Sequence, residues 1–266
     1  MFHGKRVLIT GGSSGLGWAF AQAMAEQGAK LILIARRLQP LEQCRDDLLK
    51  HHPDRRISIH SIDVACNEAV QNLALQLAPE GDIDLLINCA GILREGRVEL
   101  LETLDFEEQM AINYFGCIHT IRAFLPALQR TQGRIINISS LSGITGIFGY
   151  SGYCASKFAV QGLSEVLRLE LKSYGIDVHV VCPGEFTSPM LTALQQHRSW
   201  ENKAQTSTLP TITPEQVVQD TLRGIDRGDF EIIPGKIARV VRTALRYFPK
   251  LSRRFNDRVV ARARFH

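Results

Sequence analysis

The sequence predicts an α/β protein built on a doubly wound parallel sheet, layered helix, sheet, helix. Short apolar runs alternate with amphipathic stretches along almost the whole chain, as strands followed by crossover helices do. Five of the runs are nearly continuous in Ile, Val and Leu, the pattern of parallel strands covered on both faces. A glycine-rich turn follows the first run directly, where such sheets receive a phosphate-bearing ligand.

Taken in order, the strands are expected at 6–10, 30–35, 57–62, 83–88, 133–139, 176–182 and 230–234. Helices are expected at 16–27, 38–51, 67–78, 99–130 with breaks, 153–174 and 214–227. The last opens on Thr213, Pro214 and Gln216, a capping box with proline at the first helical position. No repeat or low-complexity linker interrupts the first 235 residues. Residues 1–235 are therefore expected to form one domain, with a substrate lid near 188–212, and 236–266 a basic amphipathic extension.

Composition narrows the class. Hydrophobic residues at 45% with 22% charged exclude a disordered chain. No apolar run approaches the roughly 20 residues of a membrane span, and "KRVLIT" at the start leaves no space for a signal peptide. Cys44, Cys66, Cys89, Cys117, Cys154 and Cys182 are scattered without a CxxC pair. That argues against zinc or a disulfide framework and fits a reducing cytoplasm. Charge is uneven. Lys236 to His266 holds ten Lys/Arg against Asp257 alone, while the preceding residues carry 21 bases and 26 acids.

"TGGSSGLG", Thr10 to Gly17, lets the backbone turn tightly and approach a pyrophosphate held by the N–H groups of the following helix. Gly11, Ser14, Gly15, Leu16 and Gly17 are its candidate contacts. At the tip of the second strand stands Ala35-Arg36-Arg37 with no acid. An acid there bonds a ribose 2′-hydroxyl, whereas arginine accommodates a 2′-phosphate. Arg36, with Arg37 and Ser13 assisting, points to NADP(H).

In "GYSGYCASKFAVQGL", Tyr153 and Lys157 are four residues apart and share one helix face. As an isolated match this would be a solvated ring and a snorkelling amine. Other motifs change that reading. "TGGSSGLG", Asp63-Val64, "NCAG" from Asn88 to Gly91, Asn113, "NISS" ending at Ser140, "YCASK" from Tyr153 to Lys157, and "PGEFTSP" from Pro183 to Pro189 keep one order and spacing. Together they resemble the short-chain dehydrogenase/reductase family from about Lys5 to Pro189. Cys89 departs from it, standing where the family more often has a second Asn.

The resemblance implies a seven-stranded Rossmann-type fold and nicotinamide-dependent carbonyl or alcohol chemistry. It implies Tyr153 as acid/base, Lys157 as its partner, Ser140 holding the substrate oxygen, and Asn113 anchoring a proton-relaying water. Asp63 and Val64 would meet the adenine. Ala90 and Gly91 would line the cofactor groove, with Tyr153 and Lys157 beside the bound cofactor and Asn88 bracing the sheet. Pro183, Gly184, Phe186 and Thr187 would contact the nicotinamide end. Physically, an ammonium about 4 Å from a phenol at an effective dielectric near 20 favours the phenolate by roughly 4 kcal/mol, about three pKa units. Tyr150 lacks the four-residue offset and is expected as a pocket wall. Turn-forming roles are expected for Ser139 and Ser142.

Met190, Leu191, Ala193 and Leu194 precede a polar run, expected as a short apolar helix over the pocket and then a mobile loop. With Phe148, they favour an apolar substrate. In the tail, Ile237, Val240, Val241, Ala244, Leu245 and Phe248 share a helical face opposite Arg239, Arg242 and Arg246. This reads as a peripheral membrane-surface element, ahead of a helix docked on a subunit or a flap over an apolar site. Nucleic acid is not expected, because no binding module accompanies the charge. The chain looks most like reductases of long-chain or polycyclic lipids, such as 3-ketosphinganine reductases and hydroxysteroid dehydrogenases. A homodimer or homotetramer is expected from the same likeness. The alternatives are a 3-oxoacyl or xenobiotic carbonyl reductase, or a catalytically silent NADP(H)-sensing protein.

Overall fold

The computed structural model describes residues 2–263. In chain order its elements are β1 (Arg6–Thr10), α1 (Gly15–Glu26), β2 (Lys30–Ala35), α2 (Leu38–His51), β3 (Ile57–Ser61) and α3 (Asn67–Leu77). β4 (Leu85–Asn88), α4 (Thr103–Met110), α5 (Gly116–Thr131), β5 (Arg134–Ile138), α6 (Ser151–Glu170) and β6 (Asp177–Val181) follow. The chain continues with α7 (Pro189–Gln195), α8 (Trp200–Thr206), α9 (Pro214–Asp226), β7 (Glu231–Ile232), α10 (Lys236–Tyr247) and α11 (Pro249–Ala263). The seven strands form one sheet in the order β3-β2-β1-β4-β5-β6-β7, every pair parallel.

Side-chain alternation explains why the strands are apolar throughout. Val7, Ile9, Leu31, Leu33, Leu85, Ile87 and Ile136 face a core closed by α1, α2 and α9 through Phe20, Leu41 and Val217. Leu8, Ile32, Ile34, Leu86 and Ile135 face the opposite core, closed by α3, α5 and α6 through Leu73, Phe124 and Val160. Each face of the sheet is covered, so both register positions are mostly apolar, and polar exceptions such as Asn88 and Asn137 bond each other.

Several boundaries differ from the sequence expectation. The long stretch at 99–130 divides into α4, a π-helical turn at Ala111–Phe115 and α5. Such turns insert a residue into the helical ladder and often mark functional sites. α6 starts at Ser151 and ends at Glu170, with a 3₁₀ turn at Lys172–Tyr174. β7 is only two residues long and closes one edge of the sheet beside β6. The polar run after α7 holds a further helix, α8, where a loop is expected. Its start is fixed by the Ser199 hydroxyl, which accepts from the Asn202 N–H.

The order of β2, β1 and β4 places the topological switch between β1 and β4. Ligands of such sheets bind outside the carboxyl ends of the strands at that crevice.

Candidate active site

β1 delivers the glycine turn to the crevice. Gly11 has φ +69° and Gly15 φ +52°, left-handed conformations that glycine adopts without strain. A Cβ on Gly17 would collide with the Gly11 carbonyl, so only glycine lets α1 start so close to β1. Thr10 Oγ1 accepts from the N–H groups of Cys89 and Ala90, both at 3.0 Å. That bond pulls the loop after β4 against the turn and makes the second wall of a groove. Ser14, the N-cap of α1, makes no side-chain cap, and the first turn carries no acid. The leading N–H groups of a 12-residue helix are thus left to meet an anion, which fits a dinucleotide pyrophosphate.

β5 and α6 bring the reactive residues together. Lys157 is 4% exposed. Its Nζ donates to the Ile138 carbonyl at 2.9 Å and lies 5.6 Å from the centroid of the Tyr153 ring. The Ser139 hydroxyl donates to the Lys157 carbonyl at 3.0 Å, tying β5 to α6. Ser140 Oγ accepts from the Ser142 N–H at 3.0 Å and shares a hydrogen bond with the Tyr153 phenol. Tyr153, Lys157 and Ser140 line a single cavity together with Gly11, Ser14, Gly15, Leu16, Gly17, Ala90 and Gly91.

Burial dominates the electrostatics. It raises the Tyr153 phenol above the ordinary tyrosine value, with the Ser140 hydrogen bond opposing. It lowers the Lys157 amine, with the buried thiols Cys117, Cys89 and Cys182 opposing. This corrects the expectation of a phenol made more acidic by its neighbour. Counting only the ammonium charge omits desolvation, which penalises phenolate and ammonium alike. The pair is poised with its phenol protonated. Burial also pushes the Cys89 thiol up to about 12, so it lines the groove as a small apolar group.

Asn113 sits in the π-helical turn, fully buried. Its Oδ1 accepts from the Ile92 N–H at 2.8 Å, and its Nδ2 donates to the Ile92 carbonyl and to Ser156 Oγ. A Cβ on Gly91 would stand 3.2 Å from Asn113 Oδ1 and 3.6 Å from Lys157 Nζ. Asn113 and Lys157 therefore flank Gly91, with the amide side chain committed to holding the loop after β4.

The remaining sequence candidates divide. Pro183, Gly184 and Phe186 line the cavity. Thr187 stands outside it, its N–H donating to the Ile212 carbonyl. Asn88 is buried in the sheet, donating to Asn137 Oδ1 at 2.9 Å and accepting from Thr120 at 2.6 Å. Arg36 directly follows β2, outside the cavity lining and 3.9 Å from Asp63, whose Oδ1 accepts from the Ala65 N–H. Arg37 is exposed at the N-cap of α2. Val64 is buried against α5, and Ser13 meets Cys44 through its carbonyl.

The cavity encloses about 800 Å³, within the roughly 300–1,000 Å³ of ligand pockets. Met190, Leu191 and Leu194 line it, as does Tyr150, whose ring meets that of Tyr153 edge-on at 5.6 Å. Phe148 instead packs under Arg97, outside the lining. One set of residues escaped sequence reasoning. The Arg198 guanidinium, 7% exposed, bonds Glu185, Thr206 and Asn202 and straps α8 to the segment that precedes α7. Val241, Leu245, Phe248, Leu251 and Phe255 of α10 and α11 also line the cavity. Val241, Ala244, Leu245 and Phe248 belong to the apolar face read from the sequence, and their place in the lining matches the alternative of a flap over an apolar site.

Comparison with known proteins agrees with this geometry. A model of the family described as short chain dehydrogenase matches residues 5–199. The chain is 36% identical over 232 residues to the 3-ketodihydrosphingosine reductase of Mus musculus, covering 85% of this chain and 70% of that protein. It is 35% identical over 243 residues to a dehydrogenase/reductase SDR family protein 7-like of Anopheles gambiae, covering 89% and 76%. Among solved structures it is similar to a short-chain dehydrogenase from Sphingobium yanoikuyae in complex with NADPH. That match has a TM-score of 0.77 at 28% identity, covering 87% of this chain and 88% of the other.

Proposed function

Given that the chain belongs to the short chain dehydrogenase family, we propose that it is an NADP(H)-dependent reductase of apolar ketones, with long-chain 3-oxo lipids as its favoured substrates. It is an oxidoreductase acting between C=O and CH–OH. The observation that carries the finer reading is the placement of Tyr153, Lys157 and Ser140 in a large cavity whose other walls are mostly apolar.

A nicotinamide held beside Pro183, Gly184 and Phe186, which share the cavity with Tyr153, would supply the hydride for the carbonyl carbon. Tyr153 gives its phenolic proton to the carbonyl oxygen. Ser140 donates a hydrogen bond to that oxygen as its charge develops, the kind of preorganised contact that stabilises an alkoxide. Lys157, anchored on the Ile138 carbonyl, holds a positive charge beside the ring and limits the burial penalty on the phenolate left behind. Arg36, with no acid at the β2 tip, supports recognition of a 2′-phosphate, and the Sphingobium yanoikuyae relative is bound to NADPH. Support for a long-chain substrate comes from the apolar cavity walls and from the likeness to 3-ketodihydrosphingosine reductases. Exposed Phe115, Phe158, Val166 and Leu169 on the α5–α6 side support self-association through that face.

The test is NADPH oxidation by purified protein against 3-oxo compounds of increasing chain length. The reading predicts turnover that improves with chain length and weak use of NADH. Tight NADPH binding with no turnover across the series would show a cofactor-sensing protein instead.

A further inference from the structure

The cavity has an unusual mouth. Phe248, Leu251 and Phe255 line the cavity, yet each leaves more than half of its surface to solvent, at 62%, 65% and 54%. Residues that are both inner wall and outer surface are a rim. Arg254 and Arg258 line the same rim and are exposed. Around it, Ile237, Val240 and Tyr247 add further exposed apolar surface.

The charge around this surface is one-sided. Between Lys236 and Ala263 stand nine Lys/Arg and one acid, Asp257. Arg242 is bonded to Glu231 and Arg239 lies 4.0 Å from Asp220. Among the described residues no ion pair engages Lys250, Arg253, Arg254, Arg258 or Arg262. Aromatic and aliphatic side chains ringed by unpaired guanidinium and ammonium groups match a bilayer interface, where rings settle at headgroup depth and cations meet anionic lipid. A second copy of the same face would bring like charge against like. No described helix is long and apolar enough to cross a membrane, so contact would be at the surface.

We propose that α10 and α11 dock on an anionic bilayer with the cavity mouth facing the lipid, so that a long-chain ketone slides from the bilayer into the active site without crossing water. The choice of cargo rests on the apolar-ketone reading above; the docking itself does not.

The experiment uses the full chain with vesicles of phosphatidylcholine alone and of an equimolar mixture with phosphatidylglycerol. Co-sedimentation is read first, because it needs no turnover. The wild type should pellet with the anionic vesicles and not with the neutral ones. Lys250→Glu with Arg253→Glu, both exposed and outside the cavity lining, should weaken that partitioning by at least about thirtyfold. Reduction of a short water-soluble ketone should be unchanged in this variant, while reduction of a long-chain ketone carried in the vesicles should fall in step with binding. Equal pelleting with both vesicle types, or none, overturns the docking. Intact pelleting of the charge-reversed variant also overturns it. A vesicle-borne ketone reduced equally well by both proteins overturns the entry route. Should Tyr247→Ser convert a dimer to a monomer in sedimentation velocity and leave vesicle binding untouched, the face belongs to a second copy. Failure of the wild type on every ketone faults the reductase reading, and the pelleting result still decides the docking.

Discussion

Replacing Arg36 with alanine isolates the residue on which the cofactor preference depends. Arg36 stands at the tip of β2, 3.9 Å from Asp63, with 61% of its side chain exposed. Two unit charges about 4 Å apart interact by about 1 kcal/mol in water and about 4 kcal/mol at an effective dielectric of 20. The exposure places Arg36 toward the lower figure, and the 2′-phosphate carries close to two charges. A loss of about 2 kcal/mol follows, or about thirtyfold in kcat/KM for NADPH. NADH lacks that phosphate, and its kcat/KM should change by less than about twofold. The fold is not at risk, because Asp63 still accepts from the Ala65 N–H at 2.9 Å. Steady-state kinetics with both cofactors at one ketone concentration reads the ratio directly. An unchanged NADPH-to-NADH ratio in Arg36→Ala would refute the assignment and move the 2′-phosphate to Arg37 or to the glycine turn.

Two further predictions concern the phenol and the strap. Because burial raises the Tyr153 phenol, its donor form persists above the ordinary tyrosine range. At saturating NADPH the reductive kcat/KM should therefore show no alkaline limb below pH about 10; a limb near neutrality would mean that the Lys157 charge outweighs burial. Arg198→Met leaves the Glu185 carboxylate without its partner and should lower the melting temperature by about 5 °C, with a raised KM for long-chain ketones. Adding Glu185→Gln should recover part of that stability, and no loss in Arg198→Met would show that the strap does not hold α8 to the segment before α7.

Much of the fold is legible in the sequence because a doubly covered sheet leaves a strong imprint. Each strand residue from Val7 to Ile9 and from Leu31 to Ile34 is buried on one face or the other, so apolar runs mark the strands. The glycine turn is legible for a steric reason, since Gly17 cannot carry a Cβ. Tyr153 and Lys157 are legible because helical spacing puts them on one face and the surrounding motifs, from the glycine turn to Pro189, keep one order and spacing. Three things are not. The π-helical turn at Asn113 depends on hydrogen bonds between Asn113, Ile92 and Ser156, which no local pattern encodes. The Glu185–Arg198 strap joins residues thirteen apart on either side of α7, beyond the reach of helical spacing. The raised phenol depends on burial depth, which spacing does not report.

The most direct measurement compares Tyr153→Phe with the wild type in two assays on the same preparations, NADPH binding by fluorescence titration and ketone reduction. The ring remains, so the cavity wall and the contact with Lys157 at 5.6 Å persist, and only the proton donor is removed. The account predicts NADPH affinity within about threefold of the wild type and turnover lower by about a thousandfold or more. Turnover at the wild-type level with NADPH bound would contradict it.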